Sequence, residues 1–372
     1  NGGAWFNGKG GRGKTELIKI LKKMVEHNRK IKVLWRCVWK SLGYKNLYDR
    51  EAEFEKNNPC SVKIYAPTNK ACVNVGGKTF HKGLGLPVTG SDEKDEGVKI
   101  EEGYLDLIID GMKSDREKRK HALSIFVAEE ISMIDAPKWD VMSYIKHKIP
   151  DIKFMMCGDI EHQLPPVGET RPLQNAIVIK ELTNSMRITL NYNFREGSAT
   201  DDIWEEVNEP DIILNRQSTT ENGKFNICFC HRTRQRVITE VQDTLDNPDV
   251  FKTKQFKETH TGELKCVSGT PLMASETKTD YDIIKNDLWY YHGRLGDKVI
   301  VYKNKMIELE VEEFLRLFYS GYCITGHKCQ GDTYDYDYVI HDWTSSFVDR
   351  RWRYVVVSRS TDYKNNVSIK KS

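Results

Sequence analysis

Apolar positions along the chain alternate between short continuous runs and helix-spaced faces. Ala4-Trp5-Phe6 is a short run suited to a strand, and Leu17, Ile20, Leu21, Met24 and Val25 follow at i, i+3, i+4, i+7 and i+8. That spacing predicts a helix from Thr15 onward with one buried face. Val62–Ala66, Ser124–Ala128 and Ile152–Cys157 read as further buried strands, each running into a polar loop. Asp135 is placed to cap a helix carrying Trp139, Met142 and Ile145 on one face. In the second half Asn226–His231 reads as a strand, Thr233 as the cap of a helix Arg234–Leu245, and Lys298–Tyr302 as a short strand. Strands alternating with helices predict an α/β fold with parallel sheets flanked by helices. Lys30–Val38 with Trp35 and Trp39, the charged stretch Asp49–Asn58, and residues 86–121 read as insertions. The last contains an acidic patch (Asp92–Glu96) and a Lys/Arg-rich run, the composition of a solvated face.

Composition changes this picture little. With 372 residues, 39% hydrophobic and 30% charged, the chain can build two domains with good cores. No apolar run approaches the ~20 residues of a membrane span, and no secretory signal is visible, so neither a membrane nor a secreted role is expected. The first residues lead straight into a core strand, so the chain reads as part of a longer polypeptide. Nine cysteines, an odd number with no C-x-x-C spacing, suit reduced thiols of an intracellular protein rather than a disulfide frame or zinc site. A net charge of +3, from 57 basic and 54 acidic residues, is too small to argue for nucleic acid by itself.

The candidate chemistry is concentrated in the loops after strands. Gly8-Lys9-Gly10-Gly11-Arg12-Gly13-Lys14-Thr15 reads G-x-x-x-x-G-K-[ST] between the first strand and the first helix. In that position backbone N–H groups and the positive helix end surround a phosphate chain, Lys14 reaches the β/γ-phosphates and the Thr15 hydroxyl holds Mg²⁺. A nucleoside triphosphate, taken as ATP, and Mg²⁺ are therefore the expected ligands. Ser124–Ala128 ends in Glu129-Glu130. One acid is suited to hold the metal and the next to position or deprotonate the attacking water. Asp159 and Gln163 sit just past another strand end, where they can sense a γ-phosphate. Ala66-Pro67-Thr68-Asn69-Lys70-Ala71 and Thr79-Phe80-His81 offer donors for a phosphodiester backbone. An ordinary loop has the same composition.

Taken in order, these motifs resemble the superfamily 1 helicases of the Pif/RecD type. The resemblance rests on Ala66–Ala71, Thr79-Phe80-His81, Glu130-Ile131-Ser132-Met133-Ile134-Asp135 and Gly158-Asp159 through Gln163-Leu164-Pro165-Pro166-Val167. It continues through Leu190–Arg195, Tyr322–Thr333 (Thr325-Gly326-His327-Lys328-Cys329-Gln330-Gly331-Asp332-Thr333) and Val355–Ser360. It implies two RecA-like domains, 1–187 with a small insertion near 86–121 and 188–372 with a reduced insertion near 270–313. ATP would bind between them. By the same resemblance Gly8, Gly10, Gly11, Arg12, Gly13, Lys14, Thr15, Glu129 and Gly331 bind nucleotide, and Thr15 and Glu129 hold the metal. Lys14, Glu130, Gln163, Arg195 and Arg359 are the catalytic set, the last two as γ-phosphate arginines. Pro67, Thr68, Asn69, Lys70, Thr79, His81, Thr325, His327 and Lys328 line the nucleic-acid path.

The chain also departs from that pattern. Glu129 stands where an aspartate is usual, Gly326 where an apolar residue is usual and Cys329 where a serine is usual. The small β-barrel between the fourth and fifth motifs is expected to be reduced or absent, and a base contact upstream of the phosphate loop falls before residue 1. Such divergence would suit a viral or mobile-element helicase. The implied activity is ATP-dependent movement on single-stranded DNA, 5′ to 3′, with opening of duplex junctions. It would take place in the nucleus, the cytoplasm or a viral replication site, with other replication proteins as further partners. Two alternatives stay open: a viral RNA helicase, and a nucleotide-gated nucleic-acid-binding module that does not unwind.

Overall fold

The computed structural model describes residues 3–41, 62–86, 100, 102–117, 125–168, 172–195, 202–252 and 262–371. They form two compact units, residues 1–161 with 165–194, and residues 162–164 with 195–372.

The first unit is built on a six-stranded, wholly parallel sheet. Its strands are β1 (Ala4–Asn7), β2 (Val62–Ala66), β3 (Lys78–Thr79), β4 (Ile125–Ala128), β5 (Lys153–Cys157) and β6 (Arg187–Thr189), in the spatial order β3-β2-β4-β5-β1-β6. The apolar runs of β2, β4 and β5 are buried between helices, as strands covered on both faces must be. One core gathers Phe126, Phe154, Trp139, Met142 and Ile145, and Asp135 caps the last three residues' helix by accepting from the Lys138 amide. The domain boundary expected at 187/188 falls later, after Phe194. Residues 187–189 are a sheet strand, with Trp5 opposite Arg187 and Asn7 opposite Thr189.

Several sequence-based expectations change here. The first helix runs from Lys14 to Ser41, through the stretch that had been read as leaving it. Its buried face centres on Ile18, with Leu17 and Leu21 packed beside it, whereas Ile20 and Met24 are 52% and 58% exposed. Leu17 is one flank of the face rather than its centre, so a helical pattern started at Leu17 passes over Ile18. Residues 86–121 are not simply a solvated insertion. The helix Glu102–Glu117 buries Leu105, Ile109 and Met112, spaced i, i+4, i+7, in the first core. Trp35 and Trp39 fall on the first helix, where their side chains lie outside the described residues, as do Asp49–Asn58 and Asp92–Glu96.

The second unit has its own five-stranded parallel sheet. The strands are β7 (Ser218–Thr219) and β8 (Asn226–Cys228), joined after an intervening β-module by β16 (Cys323–Thr325), β17 (Tyr338–Ile340) and β18 (Val367–Lys370), in the order β16-β8-β17-β18-β7. The module contains the pair β9 (Asp249–Lys252) and β10 (Glu263–Cys266). It also has a five-stranded antiparallel sheet of β11 (Pro271–Ala274), β12 (Leu288–Leu295), β13 (Lys298–Tyr302), β14 (Met306–Glu310) and β15 (Phe318–Ser320). A β-module is therefore present where one reduced or absent was expected. The module has a separate core of Trp289, Tyr291, Val299, Val301, Leu309 and Phe314. Only Lys298–Tyr302 stands out as a strand by its apolar run; a strand such as β14, whose outer face carries Glu308 and Glu310, has too little hydrophobic signal to be counted singly. The helix expected over Arg234–Leu245 runs from His231 to Gln242, capped by Cys230 rather than Thr233.

His341, at the end of β17, lies in the second core with its Nε2 3.0 Å from Asn226 Oδ1. The Asn226 amide nitrogen donates to the Gly223 and Tyr322 carbonyls, so its oxygen accepts and His341 is the neutral Nε2–H tautomer. Burial first, then Arg236 and Lys370, push His341 down to about 4. The unfolded chain takes up a proton near pH 6.5 while the folded chain stays neutral, so stability is expected to fall as pH drops from about 6.5 towards 4. The loss is about 3 kcal/mol. Urea denaturation at pH 7 and pH 4.5, on the parent and on His341→Gln, checks this; an equal pH slope in both would exclude His341 as the source.

Candidate nucleotide and nucleic-acid sites

Parallel strands end on one edge of a sheet, and the order β4-β5-β1 brings three loops together there. The loop after β1 is the phosphate loop, in which Gly11 and Gly13 take φ of 76° and 78°. A side chain at either position would be strained in this left-handed backbone. Lys14 folds back so that its ammonium donates to the Gly8 carbonyl at 2.5 Å and to the Lys9 carbonyl at 3.0 Å. Arg12 is buried, while Gly8 packs against Leu190 and Gly10 lies in the loop between.

The loop after β4 places Glu129 against the helix start. The Thr15 hydroxyl donates to Glu129 Oε1 at 2.7 Å, and the Glu129 amide donates to the Tyr65 carbonyl. Glu129 is 3% exposed, and its Oε2 is buried without a hydrogen-bond partner. Burial drives its carboxyl up to about 7, the neighbouring Glu130 charge adds to this, and the Thr15 hydroxyl and Lys14 oppose it. A buried, unpartnered carboxylate oxygen beside a threonine hydroxyl fits a hard divalent cation with oxygen ligands. Glu130 begins a turn, Ile131–Met133, with φ 50° and ψ 51°, and its side chain makes no cap bond. After β5, Asp159 accepts from the Glu161 amide, and Gln163 is buried within the segment 162–164 that packs with the second unit.

Sequence reasoning valued Leu190–Arg195 only for its arginine. The structure also places Tyr192 and Phe194 beside the phosphate loop, with ring centroids 4.8 Å apart. The Phe194 amide donates to the Gly11 carbonyl, and its ring packs on Gly13. Both rings are exposed and meet edge to face at 64°, so either ring, next to the phosphate loop, offers a face that a nucleotide base can stack on. The available signal was the Tyr-x-Phe alternation.

At the far side of the same sheet, Ala66 on β2 pairs with Thr79 on β3, which sets Pro67 and Thr68 beside Phe80 and His81. Thr68 caps the helix Asn69–Val75 by accepting from the Ala71 amide, and Thr79 caps Phe80–Leu84 by accepting from the Lys82 amide. Each therefore has a structural task as well as a free hydroxyl proton. Asn69 is exposed, and Lys70 and His81 are half-buried.

In the second unit the helix Arg350–Val357 runs between two groups of candidates. Near its N-terminal end, the Asp349 charge acts on His327, whose burial otherwise favours the neutral ring. Thr325 is buried at the end of β16, and Lys328 donates to the Tyr319 hydroxyl at 2.8 Å, so its ammonium is partly committed. Beyond its C-terminal end, the Arg359 Nε donates to the Val355 carbonyl, and its other nitrogens to the Asp332 carbonyl and the Ser358 hydroxyl. Arg195 donates to the Ser358 carbonyl, so both arginines converge on Ser358. Gly331, with φ 90°, turns the chain into Asp332.

Gly326, a departure from the family pattern, has a local reason. A Cβ there would lie 2.3 Å from Trp352 Nε1 and 3.0 Å from Val356. Gly326→Ala is expected to lower stability by about 1–3 kcal/mol. Pairing it with Trp352→Phe should return part of that in urea melts, whereas no recovery would mean the clash lies elsewhere.

No protein-family model matches the chain. By sequence it is 27% identical over 197 residues to the ATP-dependent DNA helicase PIF1 of Saccharomyces cerevisiae (strain YJM789). That match spans 50% of this chain and only 18% of the yeast protein. By fold it is similar to a Pif1 helicase solved to explain DNA unwinding at forked double-stranded DNA, with a TM-score of 0.60, 18% identity, and coverage of 100% of this chain and 88% of the other. The Bacteroides Pif1 helicase in complex with ADP-AlF3 and single-stranded DNA gives 0.55 at 17% identity, covering 100% and 89%. The Candida albicans Pif1 helicase gives 0.56 at 15%, covering 100% and 92%. Across half of its sequence, and across its whole length in fold, this chain is similar to Pif1 helicases.

Proposed function

We propose that this chain is the motor portion of an ATP-dependent DNA helicase that moves on single-stranded DNA and opens duplex junctions. The observation that carries the proposal is Glu129, whose unpartnered Oε2 is buried while its Oε1 accepts from the Thr15 hydroxyl of the phosphate loop. That is the donor set of a nucleotide-hydrolysis centre rather than of a passive anion site. Bound Mg²⁺ would supply charge neutralisation on the phosphates. Thr15 and Glu129 are proposed to hold it, Lys14 to leave the Gly8 and Lys9 carbonyls for the β/γ-phosphates, and Glu130 to take the proton of the attacking water. Gln163, Arg195 and Arg359 are proposed as γ-phosphate contacts. Pro67, Thr68, Asn69, Lys70, Thr79, His81, Thr325, His327 and Lys328 are proposed along the DNA. Movement is proposed as 5′ to 3′ and the site of action as intracellular, where ATP and DNA coexist. Among the described residues no helix is long and apolar enough to cross a membrane.

Stopped-flow unwinding of a 5′-tailed duplex, with ATPase measured on single-stranded DNA and RNA of equal length and Lys14→Ala as control, tests this. DNA-stimulated ATPase with strand separation is expected. Strong ATPase without separation would favour the non-unwinding module, and stimulation by RNA alone would favour an RNA helicase. Glu129→Asp is expected to keep or raise turnover, because the shorter acid retains the charge. If it abolished ATPase in a folded protein, Glu129 would not be on the metal side.

A further inference from the structure

The edge of the second sheet at the C-terminal ends of β16, β8 and β17 carries three loops side by side, and only Thr325–Lys328 of the first has an assigned role. After β8 come Phe229 and Cys230, then His231 and Arg232 in the first turn of the helix that follows, and the loop after β17 holds Asp342 to Asp349. They are tied together by the Asp342 carboxylate, which accepts from the Phe229 and Cys230 amides and from the Thr233 hydroxyl. The β17 loop is pinned at both ends. Trp343 is buried and donates to the Pro210 carbonyl, Arg353 donates to the Trp343 carbonyl, and Val348 is buried in the core. Between these anchors Phe347 is 80% exposed. A loop this firmly held does not expose a phenyl ring through slackness, and an exposed phenyl forgoes about 1.5–3 kcal/mol of burial. Arg232, and Arg351 just beyond the loop, have no acidic partner among the described residues. Two residues after Phe347, Asp349 is near enough for its charge to act on His327, which joins the loop to the strand path proposed above.

We infer that Phe347 is a base-stacking platform for single-stranded DNA, with Arg232 and Arg351 as phosphate contacts, extending the nucleic-acid path from β16 across β8 to β17. An exposed aromatic face with basic residues in the adjoining segments holds a nucleotide strand without reading its sequence. This rests on the DNA reading above.

The test is fluorescence anisotropy of the whole chain with a labelled oligo-dT and with an oligomer of equal length carrying abasic sites. Phe347→Ala is expected to weaken oligo-dT binding about tenfold and to leave abasic binding within about twofold. Phe347→Trp should retain the parent affinity. Arg232→Ala with Arg351→Ala should weaken both oligomers and flatten the salt dependence by about two phosphate contacts. Because Phe347 is mostly in water, its thermal midpoint should not move, so a loss of binding is not a loss of fold. Unchanged oligo-dT affinity in Phe347→Ala, or an equal loss on both oligomers, overturns the stacking role. If the parent binds neither oligomer, the DNA reading itself fails, and the inference with it.

Discussion

Arg359→Ala is expected to slow ATP turnover by about 10³-fold or more while changing the apparent affinity for ATP far less. Arg359 is 3% exposed, and its guanidinium is held by the Val355 and Asp332 carbonyls and the Ser358 hydroxyl, all neutral acceptors. Among the described residues no carboxylate pairs with it. A cation fixed in direction but not neutralised keeps its charge for an anion that arrives from outside, in the proposed role the transferring phosphoryl group. Lysine is not expected to rescue it, because one ammonium cannot reproduce the forked set of donors. Steady-state ATPase with and without DNA, on a variant whose melting midpoint is checked, measures this. A folded Arg359→Ala enzyme with near-parent kcat would reduce Arg359 to a structural pin.

Glu130→Gln should lower kcat by about 10²–10⁴-fold and leave nucleotide binding intact, because it removes the proposed base without removing a side chain of that shape. The backbone adds a second, independent signature. Glu130 sits at φ 50° in the left-handed region, an expense of about 1–3 kcal/mol for a residue with a side chain. The site is tightly built: Gly158 passes so close that a Cβ there would be 2.7 Å from the Ile131 amide. Glu130→Gly is therefore expected to raise stability while abolishing turnover, the mark of a residue kept for chemistry rather than for folding. Urea melts together with single-turnover ATPase decide it. A variant that is both less stable and still active would contradict the assignment.

The sequence by itself determined the α/β class, the order of motifs and the residue types at each strand end. A buried parallel strand is a short apolar run, and a phosphate loop must be glycine, lysine and threonine at fixed spacing. Glu129 and Glu130 were legible for that reason, as was the helix capped by Asp135. Tertiary structure alone decided which loops meet, because the strand order β3-β2-β4-β5-β1-β6 is set by long-range pairing. It alone placed the Glu129 oxygen beside Thr15 across 114 residues and left the other oxygen without a partner. It decided that Ile18, not Ile20 or Met24, faces the core, since the helix carries apolar residues on more than one side and the neighbouring elements choose which side is covered. The β-module was missed because each strand is marginal alone, and only pairing gives its inward residues a common core. The reason Gly326 must be glycine is Trp352, whose ring fills the space from a helix more than twenty residues further along the chain. A local rule reads what a residue contributes to its own element; what fills the space beside it is written elsewhere in the chain.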